Sequence, residues 1–180
     1  MTKKSTAQKS YFQKNIFLVG MPAVGKTYWG EKIAAELKLP FIDLDVFVAD
    51  QEKASVSALF AMYGEKGFRE REEKYLKKII KTTEPVTIIA CGGGTPCFGD
   101  NMKLMKDAGV VIYLQANTAL LLQHLEAETE ARPLLNNRGD LGTYLADMLE
   151  KRRSFYEQAH HILQMGDISR ATFEQIISHE

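Results

Sequence analysis

An α/β fold built on a buried parallel sheet is what this 180-residue sequence predicts, and two observations carry the prediction. Short β-branched and apolar runs alternate with longer segments of helical period, as consecutive βαβ units require. Three of the short runs, IFLV (16–19), TIIA (87–90) and VVIYL (110–114), are apolar almost throughout, as strands covered on both faces must be.

Taken in order, the elements are a strand at 16–19, a helix at 27–38, a strand PFIDL at 40–44 opened by Pro40, and a helix at 54–80. A strand VTIIAC follows at 86–91, then a helix at 100–108 ended by Gly109, the strand VVIYL at 110–114, and a helix at 117–127 with Asn117 at its N-cap. The polar stretch ETEARPLLNNRGD (128–140), which breaks both periods, reads as a mobile surface loop. Beyond it lie a helix at 141–159, the strand HILQM at 161–165 and a helix at 169–178 capped by Ser169. Residues 1–14, basic and polar, read as a flexible leader to one domain spanning 15–180, since a chain with 45% hydrophobic residues can bury one sizeable core.

Composition removes several classes of function. Lys+Arg and Asp+Glu both number 23, so the chain has no overall basic field and is not expected to bind nucleic acid. No apolar run approaches the roughly 18 residues that span a bilayer, so no membrane association is expected. The two cysteines, Cys91 and Cys97, are too few for a disulfide framework, and their spacing matches neither a zinc knuckle nor a redox pair. A reducing cytoplasm is the expected location.

The sharpest local signal is GMPAVGKT at 20–27, placed between a strand and a helix. It fits G-x-x-x-x-G-K-[ST], in which glycines let backbone N–H groups turn inward on phosphate oxygens at a helix N-terminus. Lys26 then reaches the β- and γ-phosphates, and the Thr27 hydroxyl ligates Mg²⁺. The chain is therefore expected to bind a nucleoside triphosphate or a close relative. It carries no Asn-Lys-x-Asp for guanine, which argues against a GTPase, and has little room for the extra elements of motors, which leaves a small-molecule kinase.

Charges stand where apolar residues are expected. Asp43 and Asp45, two apart in FIDLD, would face one side of a strand at its C-terminal end, where open α/β sheets hold their ligands. Glu72 interrupts the apolar stripe Phe68, Tyr75/Leu76, Ile79, with Arg69 three residues away as its partner; Glu72 would then hold that guanidinium toward an anionic ligand. Arg152 lies inside the stripe Leu141, Leu145, Met148, Leu149, Phe155, Tyr156, Ala159, while Arg153 falls outside it. Gly92, Gly93 and Gly94 form a run at the sheet edge, as backbone lying against a ligand would. His160 and His161 read as surface or cap residues rather than metal ligands.

Together GMPAVGKT, FIDLD, GEKGFREREE, CGGGTP, RPLL (132–135) and Arg152-x-x-x-Tyr156-x-x-Ala159 resemble the shikimate kinase family from about residue 15 to 178. The resemblance implies a three-layer P-loop NTPase fold of the nucleoside monophosphate kinase type, with a five-stranded parallel sheet in the order 2-3-1-4-5. It also implies transfer of the ATP γ-phosphoryl group to the 3-hydroxyl of shikimate with Mg²⁺; a monomer is expected. By the same resemblance Gly20, Ala23, Val24, Gly25, Lys26 and Thr27 cradle ATP, and Asp43 supports the metal through water. Asp45 contacts the shikimate hydroxyls as the proposed base, and Arg69, Gly92, Gly93, Gly94 and Arg152 bind shikimate. Arg132 closes over ATP from a lid at 128–140. Two departures stand out: Ala23 replaces the usual glycine, so an ordinary backbone conformation is expected there, and Leu125, beside His124, replaces the basic residue associated with adenine. The alternatives are a kinase for another hydroxy acid such as gluconate, on the same fold, and a nucleotide-binding module without catalysis.

Overall fold

In the computed structural model, residues 14–83, 86–129 and 141–179 are described. Five parallel strands run in the order β2-β3-β1-β4-β5: β1 (Asn15–Val19), β2 (Phe41–Asp43), β3 (Ile88–Ala90), β4 (Gly109–Gln115) and β5 (His161–Gln164). This is the order that the resemblance implies. Strand β1 lies centrally, with Phe17 level with Ile89 on one side and Val111 on the other. Helices cover both faces, so β1, β3 and nearly all of β4 are buried and their apolar runs form the middle of the core. Strand β5, at the edge, alternates half-buried and exposed residues.

The helices are α1 (Lys26–Leu37), α2 (Leu44–Glu52), α3 (Val56–Thr82), α4 (Asn101–Ala108), α5 (Thr118–Thr129), α6 (Leu141–Tyr156) and α7 (Arg170–His179). Asn117 Oδ1 accepts from the Leu120 N–H at 2.8 Å and Ser169 Oγ from the Thr172 N–H at 3.2 Å, so both expected caps form. None of the described helices is long and apolar enough to cross a membrane. The leader 1–13 and most of the expected lid, 130–140 with Arg132, lie outside the described residues.

Three findings depart from or add to the expectations. The second strand ends at Asp43, and a helix, α2, begins at Leu44. Asp45 therefore does not share a strand face with Asp43; it stands in the first turn of α2, whose N-cap is Asp43 itself. The cause is local: Asp43 Oδ1 accepts from the N–H groups of Asp45 (3.0 Å) and Val46 (3.2 Å), and this cap outweighs continued extension. Second, α3 is kinked, because Gly64 adopts φ 64°, ψ −179° inside it. Third, Ala23 does not keep an ordinary conformation: its φ is 61°, in the left-handed region.

The register places the functional loops. Asp43 pairs with Ala90, Leu18 pairs with Ala90 from the other side, and the Cys91 N–H donates to Leu18 O at 3.0 Å. The loops after β1, β2 and β3 therefore leave the same edge of the sheet side by side.

Candidate active site

The loop 20–25 bends through φ 142° at Gly20, 61° at Ala23 and 86° at Gly25, and the last of these caps α1. A glycine cap has no side chain to offer the first N–H groups of the helix, which stay available to an anion and carry the positive end of the helix dipole. Lys26 opens α1 and folds back along the loop, where Nζ donates to Gly20 O (3.0 Å) and Met21 O (2.7 Å). Its burial lowers the ammonium pKa to about 8 against the pull of Asp45, Cys91 and Asp43. A lysine so placed is a poorly hydrated charge, which an incoming phosphate stabilises strongly.

Thr27 Oγ1 donates to Asp43 Oδ2 at 2.6 Å. With Oδ1 committed to the α2 cap, Asp43 presents its second oxygen beside a hydroxyl on the phosphate side of the loop. Among the described residues no cluster of three or more His, Cys, Asp or Glu could hold a metal ion. One hydroxyl and one carboxylate at a phosphate site nevertheless fit Mg²⁺, which takes hard oxygen ligands and completes its shell with phosphate and water oxygens. His160, by contrast, is tied to the sheet, its Nδ1 accepting from the Val111 N–H at 3.0 Å.

Asp45 is half-buried beside this pair, and its carboxyl pKa is raised to about 6, first by desolvation and then by Glu72 and Asp43, with Lys26 and Arg69 opposing. Glu72 has no exposed surface; its Oε2 accepts from Arg69 Nη1 at 2.7 Å, and its Oε1 accepts from the Thr95 hydroxyl. The ion pair anticipated within α3 thus forms, and Thr95, in the three-residue 3₁₀ turn after the glycines, is a partner that the sequence reading missed. Its signal was present in CGGGTP: a hydroxyl next to a glycine run suits a buried carboxylate.

The three glycines form the floor on which these groups meet. A Cβ at Gly92 would come within 2.6 Å of Glu72 Oε1 and 2.8 Å of Asp45 Oδ1, and one at Gly93 within 2.8 Å of Pro22 Cδ and 3.2 Å of Arg152 Nη1. One at Gly94 would overlap the guanidinium of Arg69. Close approach of side chains explains the run. Tyr156, stacked on Tyr113 at 5.0 Å, donates to Gly93 O at 2.7 Å and ties the floor to α6, which carries Arg152. Arg69 and Arg152 come from different helices to one hollow of about 470 Å³, lined also by Glu65, Lys66, Gly94, Cys97 and Phe98. Two guanidiniums facing one hollow suit a small carboxylate.

A parallel sheet with a phosphate-binding loop at one edge, a cation-ready Thr–Asp pair and a neighbouring anion-binding hollow define a P-loop kinase of small molecules. Comparison narrows the class: the family model "Shikimate kinase" matches residues 22–179, and the chain belongs to that family. The chain is 39% identical over 155 residues to a shikimate kinase of Phocaeicola vulgatus, covering 85% of this chain and 87% of that one. The crystal structure of a shikimate kinase from Bacteroides thetaiotaomicron superposes with a TM-score of 0.83 at 34% identity, covering 91% of this chain and 98% of the other. A shikimate kinase from Acinetobacter baumannii in complex with shikimate gives 0.81 at 29% identity, over 93% and 95% of the two chains.

Proposed function

We propose that this chain transfers the γ-phosphoryl group of ATP to the 3-hydroxyl of shikimate, and that the residues brought together at the sheet edge do so in the following roles. The observation that carries the reading is the pair of arginines, Arg69 and Arg152, converging from α3 and α6 on a hollow beside the phosphate loop. They grip the acceptor's carboxylate, while the floor of Gly92, Gly93 and Gly94 lets its ring lie close. Gly20, Ala23, Val24 and Gly25 shape the cradle for ATP, and the α1 N-terminus with Lys26 holds the β- and γ-phosphates. Thr27 and, through water, Asp43 hold Mg²⁺, which supplies charge compensation on the phosphates when bound. Arg132 adds positive charge over ATP; this role rests on the RPLL motif.

The chemistry needs alignment more than covalent help. The 3-hydroxyl oxygen attacks the γ-phosphorus, its proton passes to the Asp45 carboxylate, and the bond from the γ-phosphorus to the bridging oxygen breaks, so that ADP leaves with the electron pair. A carboxyl pKa of about 6 suits this step, since Asp45 is ionised near neutrality yet basic enough to take the proton.

The reading is tested by calorimetric titration of shikimate into the protein without ATP. Each charge-assisted hydrogen bond is worth about 1.5–3 kcal/mol, so Arg69→Ala and Arg152→Ala should each weaken binding roughly 10- to 150-fold. Arg→Lys should do nearly the same, because lysine lacks the planar fork. ATP affinity should hardly move. If both alanine variants bind shikimate like wild type, the acceptor assignment loses its physical basis.

A further inference from the structure

The anomalous residue of the phosphate loop is Ala23, whose φ of 61° belongs to the left-handed region that L side chains rarely adopt. A second observation meets it from far along the chain: His124 Nδ1 lies 2.9 Å from Ala23 O. A carbonyl oxygen only accepts, so Nδ1 carries the hydrogen and donates it. His124 is placed there by α5, one turn after Leu121, which is fully buried, and next to Leu125, which packs against the core. The ring is therefore anchored by a helix seated in the core.

From these two facts we infer that His124 is a positioning residue for ATP, a strap from α5 that holds the Ala23–Val24 peptide unit in the orientation the phosphate cradle needs. The inference rests on ATP occupying the phosphate loop. Ala23 C=O and Val24 N–H belong to one planar trans unit and point in opposite directions, so fixing the oxygen fixes the N–H. The Val24 N–H is turned into the loop, donating to Met21 O at 3.4 Å. A flip of that unit would point a carbonyl oxygen inward, where phosphate oxygens require N–H donors. Glycine at position 23 would hold the conformation unaided; alanine is strained there, and the histidine compensates. His124 acts through Ala23 O and touches neither substrate in this role.

The test is calorimetric titration of the full chain with MgATP, and separately with shikimate. His124→Ala should weaken ATP roughly 3- to 10-fold, the effect of losing about one hydrogen bond, with shikimate binding unchanged. His124→Gln, which keeps an N–H donor, should recover most of the loss, whereas His124→Leu, matched to its apolar neighbours, should not; this pair carries the test if the alanine variant fails to fold. A merely packing role would leave the next comparison unmoved. In an Ala23→Gly background, His124→Ala should change ATP affinity by less than about 2-fold, because glycine needs no strap. Wild-type ATP affinity in His124→Ala and His124→Leu would overturn the inference, as would an equal loss in the alanine and glycine backgrounds. Absence of ATP binding to the wild-type chain would overturn the inference together with the ATP reading, and is distinguishable from either.

Discussion

Replacing Asp45 by asparagine should slow the enzyme and stabilise the fold at the same time. The carboxyl pKa of Asp45 is raised from 3.8 to about 6, chiefly by desolvation, with Glu72 and Asp43 adding repulsion. A tenfold change in proton affinity corresponds to about 1.4 kcal/mol, so the native state carries this carboxylate at a cost of at most about 3 kcal/mol above pH 6. Asp45 is only half-buried, and solvent screening reduces the figure to roughly 1–2 kcal/mol. Because the folded-state pKa lies above the unfolded one, the native protein binds the extra proton. This group's contribution to stability therefore falls as pH rises from about 4 to about 6 and stays low beyond. Asparagine cannot ionise, so Asp45→Asn should melt about 2–8 °C above wild type at pH 8, with the advantage largely gone at pH 4. In steady-state assays the same variant should lose roughly 10²- to 10⁴-fold in kcat, and wild-type kcat should itself fall as pH drops below about 6, where Asp45 takes up its proton. A variant that melts below wild type at pH 8, or gains equally at both pH values, refutes the electrostatic reasoning. Unchanged kcat with a raised KM for shikimate refutes the base role alone.

Lys26→Met should reduce kcat by more than about 10²-fold, since the ammonium compensates charge that moves in the transition state. Its melting temperature should stay within about 4 °C of wild type, because a desolvated charge is removed along with its bonds to two loop carbonyls; a kcat within threefold of wild type would remove the phosphate-loop assignment. Glu72→Gln keeps the shape but loses the charge that fixes Arg69, so shikimate should bind about 3- to 10-fold more weakly in calorimetry while ATP is unaffected. Equal losses for both ligands would mean that Glu72 supports the fold generally rather than the orientation of Arg69.

Much of the arrangement was legible because its causes are local. The strand–glycine loop–helix order of 16–38 can only be read one way, and Glu72 betrays itself by interrupting an apolar stripe with an arginine one turn away. Other features depend on tertiary placement or on competition between local forces. Strand order followed from family resemblance, since alternation of elements leaves it open. Helix α2 was hidden in LDVFVADQE because its apolar residues continue the strand-like FID; only the Asp43 side chain, by capping, decides between the two. The kink at Gly64 and the left-handed Ala23 are backbone choices which the surrounding fold imposes. The meeting of His124 with Ala23 spans 101 positions of sequence, and no spacing signals it. The three glycines read as backbone close to a ligand; the side chains that also crowd their α-carbons, Glu72, Asp45, Pro22, Arg152 and Arg69, come from separate stretches that a linear reading cannot bring together.

The central claim, phosphoryl transfer to shikimate, is tested most directly by following ADP release with shikimate, with gluconate and without an acceptor, while ³¹P NMR identifies the product. The account predicts ADP release that depends on shikimate and matches, mole for mole, the appearance of a phosphate monoester on its 3-hydroxyl, with gluconate no better than the blank. ADP release that is the same with and without shikimate, or is faster with gluconate, would contradict it.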